Sequence, residues 1–367
     1  MSQQHAVYQW MDTVARQIPQ VRKSQAKVWA AFSWGVAVAR RCSQRGVAEA
    51  LPTLGKPDTV ERRLQRFVAN PRLDWRVGAQ GLTAWILRRL HSPGPLVLLV
   101  DETSLQAHLK VMVVSLAYRG RALPLAWWCY RQTAWPLGQV ALIRTLLHQV
   151  APHVPAGCPV LVQADRGIGC SPDLLAAIEA RGWFFLVRVQ RTVHLQVAGR
   201  EVAFGTLVPK PGARWAGAVR AFKKRGWRPC WAVGRWQGRY AQPWLLLTNW
   251  SQAQANWYGL RMWEEAAFRD LKSGGWQWHR SQIRSPAHAN RLWLVLALAS
   301  AWMSSVGTQV IRHPRLRREV TYGKRWRHSV LQLGLRLFTR WLALDRPLAA
   351  DFAFIPHLPI LPKTVGT

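Results

Sequence analysis

Acidic residues are scarce in this chain: 17 Asp and Glu stand against 51 Lys and Arg over 367 residues, a formal charge of +34. A chain so lopsided repels itself until a polyanion neutralises it, and nucleic acid is the usual one. The basic residues run along the whole sequence and are not gathered on one amphipathic helix or beside a spanning segment, which argues against an anionic membrane as the partner. Cysteine is sparse too. The five (Cys42, Cys129, Cys158, Cys170, Cys230) are odd in number and scattered, which excludes a disulfide framework or a paired zinc site and reads as reduced cytoplasmic thiols. A long apolar run is missing: Leu292 to Met303, interrupted only by Ser300, falls short of the roughly 20 residues that span a bilayer and reads as a buried helix. Met1 to Trp10 lacks the basic start and apolar run of an export signal. There is no internal repeat and no low-complexity tract.

Hydrophobic residues make up 49% of the chain, enough to bury a full core in two or three domains. Residues 1–91 read as helical. In Thr59 to Val68 the apolar Val60, Leu64, Phe67 and Val68 take one side and Arg62, Arg63 and Arg66 the other, with Asp58 as the N-cap after Gly55 and Pro57. A buried face backed by arginines fits a small all-α DNA-binding domain, of helix-turn-helix type; a solvated bundle helix is the plain alternative. Ser-Pro-Gly-Pro at residues 92–95 marks a boundary.

The next region, 92–307, is α/β in pattern. Leu96 to Val100 is a continuous apolar run ending at Asp101, as in a strand buried on both faces. Strands are expected over 109–116 and 122–129 with a turn at Arg119-Gly120, then a helix over 137–151. A second buried strand, Pro159 to Ala164, ends at Asp165; a helix over 171–181 and a strand over 183–189 follow. From about 190 to 243 the period is two, with many glycines and the tryptophans Trp215, Trp227, Trp231 and Trp236, which predicts a β-rich insertion. The segment 308–367 is basic, carrying Arg312, Arg315, Arg317, Arg318, Lys324, Arg325 and Arg327.

Three of the few acids are candidates for chemistry: Asp101 and Asp165 at strand ends, and Glu265 on a later helix. On a helix read as continuous from Tyr258 to Lys272, Tyr258, Arg261, Glu265 and Lys272 fall at about 0°, 300°, 340° and 320°, one stripe about 60° wide. Glu264 lies about 100° away, so the rotation selects Glu265. A stripe of one phenol, two cations and one carboxylate suits a surface that grips phosphate beside a metal ion, not a face packed on a core. Acids meeting at one sheet edge repel one another unless a divalent cation sits among them, and Mg²⁺ accepts such oxygens. Two ions would clamp both oxygens of an in-line displacement at phosphorus, so phosphodiester cleavage or strand transfer is the expected reaction.

Asp101, Asp165 and Glu265, with Tyr258, two residues, Arg261, three residues, Glu265, six residues and Lys272, resemble the acid triad and Tyr-Arg-Glu-Lys signature of insertion-sequence transposases of the IS-four group. The resemblance covers about 50 to 300 and includes Asp58-Thr-Val-Glu-Arg-Arg-Leu-Gln-Arg-Phe67, Val100-Asp-Glu-Thr103 and Asp165-Arg-Gly167. It implies an RNase H-like mixed sheet with flanking helices and a β-rich insertion before the glutamate helix. It further implies two Mg²⁺ or Mn²⁺ ions held by Asp101, Asp165 and Glu265, and cut-and-paste transposition that passes through a hairpin in some members. Double-stranded DNA would be the partner, as terminal inverted repeats and target, with a homodimer on paired ends and no membrane. Tyr258, Arg261 and Lys272 would hold phosphates. Such a protein would be bacterial and cytoplasmic, associated with the nucleoid when bound to DNA. Two rivals stand beside this reading: an RNase H-like nuclease without joining activity, and a domesticated, non-catalytic DNA-binding protein. Trp236 is a candidate for stacking on a flipped base, against the plainer reading as core. His279 is a candidate DNA contact, against a structural hydrogen bond.

Overall fold

A computed structural model describes residues 3–90, 94–105, 108–169, 171–238, 240–321 and 328–355. Ser92 and Pro93 of the predicted break, Cys170, and Lys324, Arg325 and Arg327 of the basic segment lie outside the described residues.

Five helices come first: α1 (Gln3–Gln17), α2 (Lys23–Ala39), α3 (Gln44–Glu49), α4 (Pro57–Ala69) and α5 (Trp75–Arg89). In α4 the apolar Val60, Leu64, Phe67 and Val68 are buried while Arg62, Arg63 and Arg66 face solvent. Its N-cap is Lys56 and not Asp58, because Pro57 takes the first helical position, where its missing N–H costs nothing. Asp58 instead pairs with Arg45 of α3.

The sheet has ten strands among the described residues, in the order β3-β2-β1-β4-β5-β10-β9-β8-β6-β7. Its first half is β1 (Leu96–Leu105), β2 (Leu109–Tyr118), β3 (Arg121–Arg131), β4 (Val160–Ala164) and β5 (Phe184–Arg188). β1, β2 and β3 form an antiparallel meander, and β4 and β5 add parallel to β1 through α6 (Gln139–Val150) and α7 (Pro172–Glu179). The β2–β3 turn is Arg119-Gly120, both at positive φ, the backbone that matches strand twist in a two-residue hairpin. This is an RNase H-like mixed sheet with flanking helices. The β-rich segment, β6 (His194–Val197), β7 (Arg200–Ala203), the short α8 (Phe204–Leu207), β8 (Arg214–Ala221) and β9 (Arg228–Arg235), does not form a separate sheet. β10 (Trp244–Thr248) pairs antiparallel with both β5 and β9 and so continues the central sheet into the insertion.

Beyond β10 the chain forms a 3₁₀ turn (Ala255–Arg261), α9 (Met262–Arg269) and a π-helical turn (Asp270–Gly274). α10 (Pro286–Arg312), α11 (Pro314–Val320) and α12 (Val330–Ala343) close the fold. α10 is long and apolar enough to cross a membrane, yet the apolar window is 89% buried inside the protein. It packs on α2, α4, α5, α12 and β3, so it needs apolar residues all round. The buried side chains of α1 to α5 join those of the sheet and α10 in one cluster.

Candidate active site

The parallel pairing of β1 with β4 sets the site. Its last paired residues are Val100 and Ala164, so Asp101 and Asp165 follow side by side on neighbouring strands about 4.8 Å apart, on the same face. The two acids leave the sheet differently. β1 continues to Leu105 because β2 keeps pairing with it, so Asp101 lies inside a strand and not at its end as the apolar run predicted. β4 stops at Ala164. Asp165 then caps the next turn: its Oδ1 accepts the Gly167 N–H at 2.9 Å and the Ile168 N–H at 3.1 Å. Gly169 belongs to this turn, since an added Cβ would stand 2.7 Å from the Val187 side chain and 2.9 Å from the Asp165 carbonyl.

The third acid arrives from the helical layer. Arg261 closes the 3₁₀ turn and Glu265 lies one turn into α9. The Arg261 Nη2 donates to Asp101 Oδ2 at 2.9 Å and stands 3.8 Å from Asp165 Oδ2, while Nη1 donates to Glu265 Oε1 at 2.8 Å. One guanidinium thus joins all three carboxylates. Burial pushes Asp101 up to about 6, against the downward pull of Arg261.

The predicted continuous helix is three conformations in series, and this redistributes the stripe. In a 3₁₀ turn residues i and i+3 eclipse, so Tyr258 sits directly beneath Arg261. Tyr258 is buried, packs edge-on against Trp244 and has its phenol raised above the ordinary range by burial. Lys272 falls in the π turn, where Asp270 is pinned by Arg121 and its carbonyl accepts the Trp276 N–H. The wider π winding turns Lys272 away from the α-helical angle, and no ion pair joins it to the three carboxylates among the described residues. His279 Nδ1 meets the Lys272 carbonyl at 2.6 Å. The indole of Trp236 lies under the Arg191 guanidinium and donates to the Tyr240 carbonyl. Arg62, Arg63 and Arg66 stand on α4, in the helical region, and not at the carboxylates.

Three neighbours were not selected from sequence. Glu264 turns inward, 1% exposed, accepts the Ser115 hydroxyl at 2.9 Å and leaves Oε2 without a partner. Burial, with Asp101 nearby, holds its carboxyl well above the ordinary range. Gln163 donates to the Trp257 carbonyl at 2.9 Å and ties β4 to the 3₁₀ turn; a polar residue inside an apolar strand was its signal. Arg188, at the end of β5, adds positive charge near Asp165 and Tyr258.

Among the described residues no group of three His, Cys, Asp or Glu side chains stands arranged to hold a metal ion. The three carboxylates offer hard oxygens of the kind Mg²⁺ or Mn²⁺ takes, and they converge on a cation already. The donor chemistry is of the kind a divalent metal takes, and in this structure the oxygens are engaged by Arg261.

Residues 138–302 match the family model of the transposase DDE domain. The matched stretch contains Asp165, Tyr258, Arg261, Glu265 and Lys272 and begins after Asp101. No curated protein matches the chain. The family match supports a transposase.

Proposed function

We propose that the chain is an insertion-sequence transposase of the IS-four group, which binds the inverted repeats at transposon ends, cleaves DNA there and joins the freed 3′ ends to target DNA. The observation that carries this reading is the meeting of Asp101, Asp165 and Glu265, from β1, β4 and α9, on one guanidinium in a chain with only 17 acids. These three carboxylates would hold Mg²⁺ or Mn²⁺, whose chemistry when bound is to polarise phosphate oxygens and make water more acidic. Tyr258, with its phenol raised by burial, stays protonated at neutral pH and donates to a phosphate oxygen; it is not a nucleophile. Arg261 and Lys272 offer a fork and a point charge to the same backbone. Arg62, Arg63 and Arg66 extend DNA contact to the helical region, and a homodimer on paired ends brings two such sites together. Residues 1–91 act as the DNA-binding part and 92–307 as the catalytic part, in a bacterial cytoplasmic protein.

The test mixes purified protein with DNA carrying the repeats that flank its gene, in Mg²⁺. Wild type cleaves at the repeat ends and joins pre-cut ends to target DNA. Asp101→Asn and Glu265→Gln keep end binding and lose cleavage by about 100- to 1000-fold or more, the lower bound being that of a lost electrostatic stabiliser. Cleavage without joining would mark a nuclease, and binding without cleavage a domesticated relative. Wild-type rates in either variant would remove the acids from the chemistry.

A further inference from the structure

Arg261 is placed oddly for a residue whose task is to grip DNA. Its side chain is 13% exposed, and both ends of its fork are taken up by carboxylates: Nη1 by Glu265, Nη2 by Asp101 and Asp165. Its Nε is buried without a partner. A guanidinium has five N–H donors in a fixed plane, so with the fork on carboxylates none of its strong bidentate geometry is left for phosphate. The oxygens it uses, Asp101 Oδ2 and Glu265 Oε1, belong to the three acids assigned above to a divalent cation. Two cations do not share that space, since each repels the other at short range.

We propose that Arg261 is a displaceable internal counter-ion: it holds Asp101, Asp165 and Glu265 together before metal loading, competes with the metal for their oxygens, and is released toward the DNA backbone when the metal binds. This rests on the metal-site reading above. Arg261 is in this role a positioning residue, with two stations. At the first it offsets the mutual repulsion of three carboxylates brought together by β1, β4 and α9. At the second its fork is free for phosphate, so that metal loading and phosphate binding favour the same state. The competition weakens the apparent metal affinity by the fraction of time the guanidinium is away. An arm that leaves the carboxylates about one tenth of the time lowers the affinity about tenfold.

The test is calorimetric titration of the full chain with Mn²⁺, without DNA. Arg261→Gln should bind Mn²⁺ about tenfold more tightly than wild type. Arg188→Gln removes a nearby positive charge that does not touch the carboxylates and should change affinity by less than about threefold. Equal tightening in the two variants would assign the effect to the general field and overturn the competition. Unchanged or weaker binding in Arg261→Gln would overturn it as well, while leaving the metal site standing. No Mn²⁺ binding in wild type or variant would overturn the metal reading and the competition together. A second measurement needs no variant that must fold. In wild type with ¹⁵N-labelled arginine, the one strongly protected guanidinium in the carboxylate cluster should lose its protection on Mg²⁺ titration; protection retained at saturating Mg²⁺ would sink the proposal.

Discussion

The hub around α10 and the edge where β4 ends beside Asp101 of β1 both bury side chains, and they use burial in opposite ways. In the hub, Trp302 stacks on Trp10 with ring centroids 4.1 Å apart and meets Trp34 and Phe338 at 5.3 and 5.1 Å. Its indole N–H donates to the Ala349 carbonyl. Gly307 of α10 and Gly334 of α12 let two backbones touch. These ring and backbone contacts favour the folded chain, although the Trp34 indole N–H is buried without a partner. At the edge, burial works against the groups it covers: Asp101 and Glu264 are both raised, Glu264 Oε2 and Arg261 Nε are left unpaired, and three carboxylates share one guanidinium. A well-packed scaffold can carry such a locally unfavourable arrangement.

If that contrast is correct, the hub should be the costliest place to disturb. Trp302→Ala removes a fully buried indole and should lower stability by about 3–5 kcal/mol. Gly334→Ala places a Cβ 1.8 Å from the Met303 carbonyl, a backbone atom that cannot turn aside, and should cost upward of about 3 kcal/mol by overpacking. Denaturant melts of both variants check this. Losses below about 1 kcal/mol would mean that α10 and α12 can separate and that the hub is not a well-packed scaffold.

Much of this contrast was legible in the sequence. The alternation of buried strands and helices, the Arg119-Gly120 hairpin and the helix about Leu292 to Met303 all follow from period and turn chemistry, which are local. So does the placing of acids after apolar runs, and the one-residue rotation that separates Glu264 from Glu265 also separates their environments, one buried and one at the surface. What was not legible depends on contacts between distant segments. β1 outruns its apolar run because β2 pairs with it to Leu105. The helix from Tyr258 to Lys272 breaks into 3₁₀, α and π stretches, the last beside Asp270 tied to Arg121 of β3. The inward role of Arg261 depends on two acids more than 90 residues upstream in the chain and could not be read from its own helix.

The edge gives smaller and pH-dependent effects. Glu264 is buried with its carboxyl held well above the ordinary range, so the folded chain keeps a proton there that the unfolded chain releases near pH 4.5. Above that pH the native state binds more protons than the unfolded state, and stability falls as pH rises, by about 1.4 kcal/mol per pH unit until the folded group itself ionises. Glu264→Gln supplies an uncharged isostere that still accepts from Ser115. The variant should therefore lose that slope, melting close to wild type near pH 4.5 and above it at pH 7. A parallel pH profile in the two proteins would show that Glu264 is ionised in the fold and that the inward face of the edge is not strained.

Asp101 should give the smallest effect, because two influences oppose each other on it. Burial raises its carboxyl to about 6, and that value already includes the pull of Arg261. A folded value above the unfolded one means that the contribution of this group is full below about pH 4 and is lost as pH rises through about 6. Asp101→Asn should thus match wild type at pH 4, gain relative to it between pH 4 and 6, and hold a constant advantage above. The pull of Arg261 on the carboxylate is already inside that value, and the guanidinium keeps Asp165 and Glu265 as partners in the variant. The gain at pH 7 is therefore bounded by the rise from about 4 to about 6, about 2–3 kcal/mol. A loss of several kcal/mol at pH 7 would instead make the Asp101 to Arg261 pair a structural clamp, and the division between hub and edge would fail at its central residue.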